Sequence, residues 1–142
     1  MMTDAEAINV SDPGAVVASF IVAMNAWEIE TAASHSRAKQ TGSMADYNLP
    51  LLAEIFDRHC TVRDRPRGRL SAPSFQRPPE YDPRTETIVE VVEKDQRTAN
   101  VETIRGAPLG GRYRYTLHRS RGQWRIDSVA CLFGETWQKG TL

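Results

Sequence analysis

The sequence predicts an α+β domain in which N-terminal helices pack in a strongly curved antiparallel sheet. Two observations carry this. Apolar residues recur at helical spacing twice before position 60, and from position 87 onward they alternate with polar ones at the strand period of two. Helices first and a run of strands after them is an α+β order, not the alternation that builds a parallel sheet. At 142 residues the chain has the length of one domain. A chain of that size buries roughly 70% of the surface it exposes when unfolded, so it needs no staples.

Residues 1–11 read as a loose tail, and 12–142 as the domain. Asp12-Pro13 is a helix start: the carboxylate can accept from the first free amides, and a proline in the first turn loses nothing by lacking an N–H. Val16, Phe20, Ala23 and Trp27, flanked by Ile21 and Met24, then supply a broad apolar stripe. Glu28 and Glu30 mark its wetter end, and the polar stretch 34–48, punctuated by Gly42 and Ser43, reads as a connection. A second helix starts near Pro50, buries Leu51, Leu52, Ile55 and Phe56, and ends around His59-Cys60. From Thr61 the chain turns rich in Arg and Pro through "RDRPRGR" and "SAPSFQRPPEYDP". This is a long irregular connection with one short edge strand around Leu70, and loops of that length often carry function.

Strands are expected over Thr87–Glu93 and Ala99–Ile104, joined by a turn at Lys94–Arg97. Val89 and Val91 lie on one face of the first, Ile88 and Val92 on the other. Only one face can meet the helices, so the spare apolar surface suggests a further protein contact, a homodimer, or a strand covered on its other side by the long loop. After the loop "GAPLGG" comes the hairpin "RYRYTLHRSRGQWRID". A two-residue turn at Arg121-Gly122 pairs Leu117 with Ile126, Tyr115 with Ser128 and Tyr113 with Ala130, and sets Thr116 opposite Asp127 and Arg114 opposite Val129. That register gathers Tyr113, Tyr115, Leu117, Trp124 and Ile126 on the core face.

Charge and motifs exclude several functions. Eighteen Lys and Arg balance eighteen Asp and Glu, with a pI near 6.8. A nucleic-acid binder needs an excess of positive charge to displace counterions, so no nucleic-acid partner is expected. "MMTDAEAINV" carries Asp4 and Glu6 and lacks the basic start and apolar run of a signal peptide. Ala15 to Met24 is about half the length that crosses a bilayer. No membrane partner is expected, and the chain reads as cytoplasmic. Cys60 and Cys131 form no CxxC pair and read as small, half-buried core residues in a reducing cytosol. His35, His59 and His118 fall on three separate elements, so neither a metal nor any cofactor is expected.

"DPGAVVASFIVAMNAWE", "LAEIFDRHCT", "PPEYDP" and "RYRYTLHRSRGQWRIDSV" together resemble immunity proteins of the nuclear transport factor 2-like fold. The likeness extends from about Asp12 to Trp137. It implies a cone of helices cupped by a bent sheet. It also implies a function: such proteins are encoded beside bacterial polymorphic toxins and neutralise them, so the partner would be a cognate toxin domain. The same fold hosts isomerases, dehydratases and cyclases with a pocket inside the cone. A small-molecule-binding or isomerase- or cyclase-like role is therefore the alternative. Its candidates are Asp127, His118, Tyr113 and Tyr115, but the register puts the first two on the face opposite the tyrosines. Asp127 reads instead as a surface partner for Arg114 or Arg125, and no catalytic residue is assigned. A cone filled by Phe20, Trp27, Tyr115 and Trp124 would argue against the pocket.

The remaining candidates are arginines. Arg63, Arg65, Arg67 and Arg69 fit either a strand edge kept from unwanted pairing by charge or a docking patch for an acidic partner. Arg112, Arg114 and Arg125 would stand on the outer face of the hairpin, available to the same partner.

Overall fold

A computed structural model describes residues 8–44, 46–107 and 110–142. Two helices, α1 (Pro13–Thr41) and α2 (Leu49–His59), precede five strands: β1 (Glu86–Glu93), β2 (Thr98–Arg105), β3 (Arg112–Ser120), β4 (Gln123–Phe133) and β5 (Thr136–Lys139). The strands form one antiparallel sheet in sequence order, and both helices pack on it. The α+β architecture is therefore the expected one.

The tail expected over 1–11 lies outside the described residues as far as position 7, as do Asp4 and Glu6. From Ile8 the chain is anchored: Ile8 packs against the core and the Val10 carbonyl accepts the Trp124 amide at 2.8 Å. Asp12 caps α1 by accepting from the Gly14 and Ala15 amides at 2.9 and 3.4 Å. The helix then runs through residues 34–41, which the sequence assigned to a connection. It stops at Gly42, whose left-handed φ of 73° turns the following Ser43 N–H back onto the Ala38 carbonyl at 3.0 Å. The polar segment stays helical because one side of it is still covered. His35 stacks edge-on against Tyr47 and Phe75, with centroids 4.5 and 4.7 Å away, and Ala38 is buried. By length and composition α1 could cross a bilayer, but half of that apolar window is buried inside the fold.

In α2 the buried stripe is Leu52, Ile55, Phe56 and His59. Leu51, expected in that stripe, is exposed. The edge strand expected around Leu70 is a turn. Thr61 does the edge work instead. Its N–H donates to the Ile126 carbonyl at 2.9 Å, so residues 60–61 cover the first half of β4 while β5, not foreseen, covers the second.

The hairpin turn is as expected. Arg121 (φ 54°) and Gly122 (φ 76°) are both left-handed, as a tight two-residue turn requires. Leu117 faces Ile126, but the register then slips at a bulge. Tyr115 pairs with Val129, not Ser128, and Tyr113 with Cys131, not Ala130; Thr116 meets Ser128 and Arg114 meets Ala130. The extra residue is Asp127. Without it Ser128 would enter the core and Val129 would face out; with it Val129 is buried. A second bulge, at Val89, interrupts β1. Val89, Val91 and Val92 stay half-exposed on this edge strand.

The space between helices and sheet is filled. Phe20, Met24, Trp27, Leu52, Tyr115, Leu117 and Trp124 belong to one cluster and are at most 1% exposed. Phe20 stands at the centre of the aromatic part, edge-on to Phe56, His59 and Tyr81. The four aromatics named as a possible filling of the cone are all in it.

Candidate partner-binding site

Beside this cluster lies a buried polar network that the sequence did not reveal. Glu86 sits under the sheet. It accepts from Arg105 Nε at 2.9 Å, the Thr103 hydroxyl at 2.7 Å and the Tyr115 hydroxyl at 2.7 Å. Glu80 bridges two buried guanidiniums, Arg69 at 2.6 Å and Arg105 at 3.3 Å. Arg105 also lies 3.7 Å from the Tyr113 ring and 4.9 Å from the Tyr81 ring. Burial pushes the phenols of Tyr81, Tyr113 and Tyr115 above their ordinary range, so they stay protonated, and Tyr115 donates to Glu86.

Glu28, read from the sequence as part of a wet helix end, is buried. Its carboxylate accepts three backbone amides of the segment that crosses α1: Gln76 at 3.1 Å, Glu80 at 3.0 Å and Tyr81 at 2.9 Å. Burial raises its pKa against the pull of those amides. Asn25 Nδ2 holds the Tyr81 carbonyl at 2.8 Å, and Arg77 reaches the Ala32 carbonyl and the Ser36 hydroxyl. A signal for Glu28 was present: it lies four residues from Met24 and eight from Phe20, in the buried phase of the helix.

Ser19 and His59 form another pair. The Ile55 carbonyl, 2.6 Å from Nδ1, can only accept, so Nδ1 carries the proton and Nε2 accepts from the Ser19 hydroxyl at 2.9 Å. The arrangement resembles a nucleophile and its base, yet His59 is buried between the helices and burial lowers its pKa. The enzyme candidates separate as the register required. Tyr115 faces the core, whereas His118 and Asp127 meet on the other side at 3.7 Å. Among the described residues, no group of three or more His, Cys, Asp and Glu could hold a metal.

The outer hairpin arginines are all engaged. Arg112 and Arg114 clamp Glu102 at 2.7 and 2.9 Å, and Arg114 lies 4.1 Å from the Trp137 ring. Burial of Glu102 would raise its pKa, but the two guanidiniums prevail and hold it below the ordinary carboxylate range. Arg125 donates to the Asp57 and Cys60 carbonyls at the end of α2. Neither Arg114 nor Arg125 is the partner of Asp127. That partner is Arg63, 3.1 Å away, together with the Thr61 hydroxyl at 2.7 Å. The bulge swings Asp127 toward the segment after α2, and no pairing rule applied to the hairpin alone could show it.

The loop arginines divide. Arg69 is inside, 3% exposed, bound to Glu80 and to the Ser74 carbonyl. Arg63, Arg65 and Arg67 line an open cleft of about 480 Å³, closed on its other side by Ser128, Val129 and residues 139–142. Gly68 permits this closure: a Cβ there would stand 2.4 Å from the Leu142 carbonyl oxygen. Arg65 donates to the Thr61 carbonyl at 2.8 Å, the Thr61 hydroxyl at 2.9 Å and the Asp127 carbonyl at 3.3 Å.

A filled interior, a polar network in which each buried carboxylate is held, and a cationic cleft on the surface describe a scaffold that presents side chains outward. Residues 12–141 match the family of NTF2 fold immunity proteins, and the chain belongs to that family. It is 30% identical over 129 residues to the immunity protein RhsIA of Dickeya dadantii (strain 3937), covering 89% of this chain and 93% of that one. Membership implies toxin neutralisation. No solved structure matches.

Proposed function

We propose that this protein neutralises a cognate bacterial toxin, encoded beside it, by direct protein–protein contact in the cytoplasm. The observation that carries this reading is the interior: Phe20, Trp27, Tyr115 and Trp124 occupy the space in which a pocket enzyme of this fold would hold substrate. A filled interior leaves the surface as the working part. Family membership and the likeness to RhsIA support the same reading. The relevant surface is cationic, with Arg63, Arg65 and Arg67 on one side of the molecule and Arg112 and Arg114 on the outer sheet face.

The test is rescue. Cells expressing the C-terminal domain of the adjacent toxin gene should survive when this chain is co-expressed, and the tagged chain should retain that domain in a pull-down. Failure to rescue or to bind the domain of every neighbouring toxin gene overturns the reading.

A further inference from the structure

Among the described residues, eight of the eighteen Lys and Arg side chains have a counter-charge within ion-pair distance. Arg69 and Arg105 have Glu80, Arg105 also has Glu86, Arg112 and Arg114 share Glu102, Arg63 has Asp127, and Arg84 has Asp82. The cleft between residues 63–68 and 139–142 gathers three of the others into one concave site. Four cationic side chains, Arg63, Arg65, Arg67 and Lys139, line it against one side-chain carboxylate, Asp64, and the backbone carboxylate of Leu142. Asp127 neutralises Arg63. Among the described residues, Arg65, Arg67 and Lys139 make no ion pair.

Arg65 is the sharpest case. It is half-buried, all its acceptors are neutral oxygens of Thr61 and Asp127, and its buried Nε has no partner among the described residues. Partly burying a guanidinium without a counter-ion is costly, and the cost is recovered when a carboxylate arrives. Arg67 and Lys139 are exposed on the two sides of the same opening, where their charges add to its field.

We propose that this cleft seats an acidic segment of the toxin, whose carboxylates supply the counter-charge that Arg65, Arg67 and Lys139 lack. The inference rests on the immunity reading above and adds the partner's chemistry and the place where it docks. It also separates the loop from the hairpin: Arg112 and Arg114 are already satisfied by Glu102. A nucleic-acid strand is the less suited occupant. The chain as a whole carries no net charge, and a cleft of about 480 Å³ offers no extended cationic track for a phosphate backbone.

The experiment measures association and dissociation rates of the full chain with the neighbouring toxin domain at several salt concentrations. Its variants are Arg67→Glu/Lys139→Glu, the milder Arg67→Gln/Lys139→Gln, and Lys39→Glu, at the exposed end of α1, as control. The charge-reversed pair should associate at least tenfold more slowly and lose most of its salt dependence, the Gln pair should fall between, and Lys39→Glu should match the parent. Thermal melts equal to the parent's exclude unfolding as the cause, and the Gln pair keeps the test open if the reversed pair does not fold. Parent-like rates and salt dependence in a folded double variant overturn the cleft while leaving the immunity reading intact. A parent that binds no neighbouring toxin domain overturns both. Binding of a single-stranded oligonucleotide that the double variant loses, with toxin binding unchanged, overturns the acidic-segment assignment.

Discussion

Replacing Glu28 with Gln tests whether one buried carboxylate organises the segment that lies across α1. Glu28 Oε2 takes the Gln76 and Glu80 amides and Oε1 takes the Tyr81 amide. A Gln side chain offers one acceptor oxygen. Its NH2 group must then face at least one of those amides, donor against donor. Leaving a buried N–H without an acceptor costs about 1–3 kcal/mol, and bonds to a charged acceptor are stronger than neutral ones. Relief from burying a charge offsets part of this, as the raised pKa of Glu28 indicates. The net expectation for Glu28→Gln is a loss of about 2–3 kcal/mol. At roughly 4 °C per kcal/mol for a domain of this size, the melting temperature should fall by about 8–12 °C. Glu28→Ala orphans all three amides and leaves a cavity, so about 4 kcal/mol or more is expected. Urea unfolding gives the total, and amide hydrogen exchange at Gln76, Glu80 and Tyr81 locates it. A Glu28→Gln protein as stable as the parent, with those three amides still protected, would refute the reasoning.

Trp124→Ala should cost about 3–5 kcal/mol, because the side chain is 1% exposed within the core. Trp124→Phe should cost only about 1–2 kcal/mol, since the indole N–H has no partner among the described residues and its removal breaks no hydrogen bond; equal losses from the two variants in urea would contradict this. His59 is held neutral, with a folded pKa below its ordinary 6.5. Below 6.5 the unfolded chain takes the proton more readily, so the contribution of His59 to stability is complete above that pH and is lost as pH falls through the folded value. Unfolding measured from pH 8 to 5 should show this loss in the parent and not in His59→Gln, and identical slopes would count against it. Burial pushes the Cys60 thiol up to about 12, while Cys131 is half-exposed. A thiol reagent at pH 8 should label Cys131 in the native protein and both cysteines in denaturant; rapid native labelling of Cys60 would show the core to be open.

What the sequence disclosed and what it hid follow from the range of the interactions. The Asp12 cap, the Arg121-Gly122 turn and the Leu117–Ile126 pair are each set by a few neighbouring residues, and each stands as expected. The Glu86–Arg105–Glu80–Arg69 chain joins residues from β1, β2 and the long loop. No spacing rule connects them. The hairpin arginines were legible as an outer row but not as ligands of Glu102, which comes from β2. The polar residues 34–41 predict a shorter α1 than the one present, because their cover comes from the distant Tyr47 and Phe75. Of the seven arginines singled out, sequence could not sort Arg69, buried on Glu80, from Arg65, which makes no ion pair among the described residues. That distinction depends on where the loop folds back.

The Asp127 bulge joins the fold to the cleft. Strand alternation with Leu117 opposite Ile126 would direct Ser128 inward and Val129 outward. Adding one residue reverses this, and Val129 enters the core beneath the cleft that it helps to line. The displaced Asp127 then binds Thr61 and Arg63, and its carbonyl accepts from Arg65. The bulge thus fixes the start of the arginine segment where Cys60 and Thr61 already pair along Ile126. Gly68 lets the far end of the segment close on Leu142. An arginine-rich stretch in free solution would adopt many conformations, and ordering it on a partner would cost about 1–2 kcal/mol per residue. Pinned at Asp127 and at Leu142, residues 63–68 have most of that ordering done by the fold. The charge that makes this loop conspicuous in the sequence is held in place by two contacts that the sequence shows only as one aspartate and one glycine.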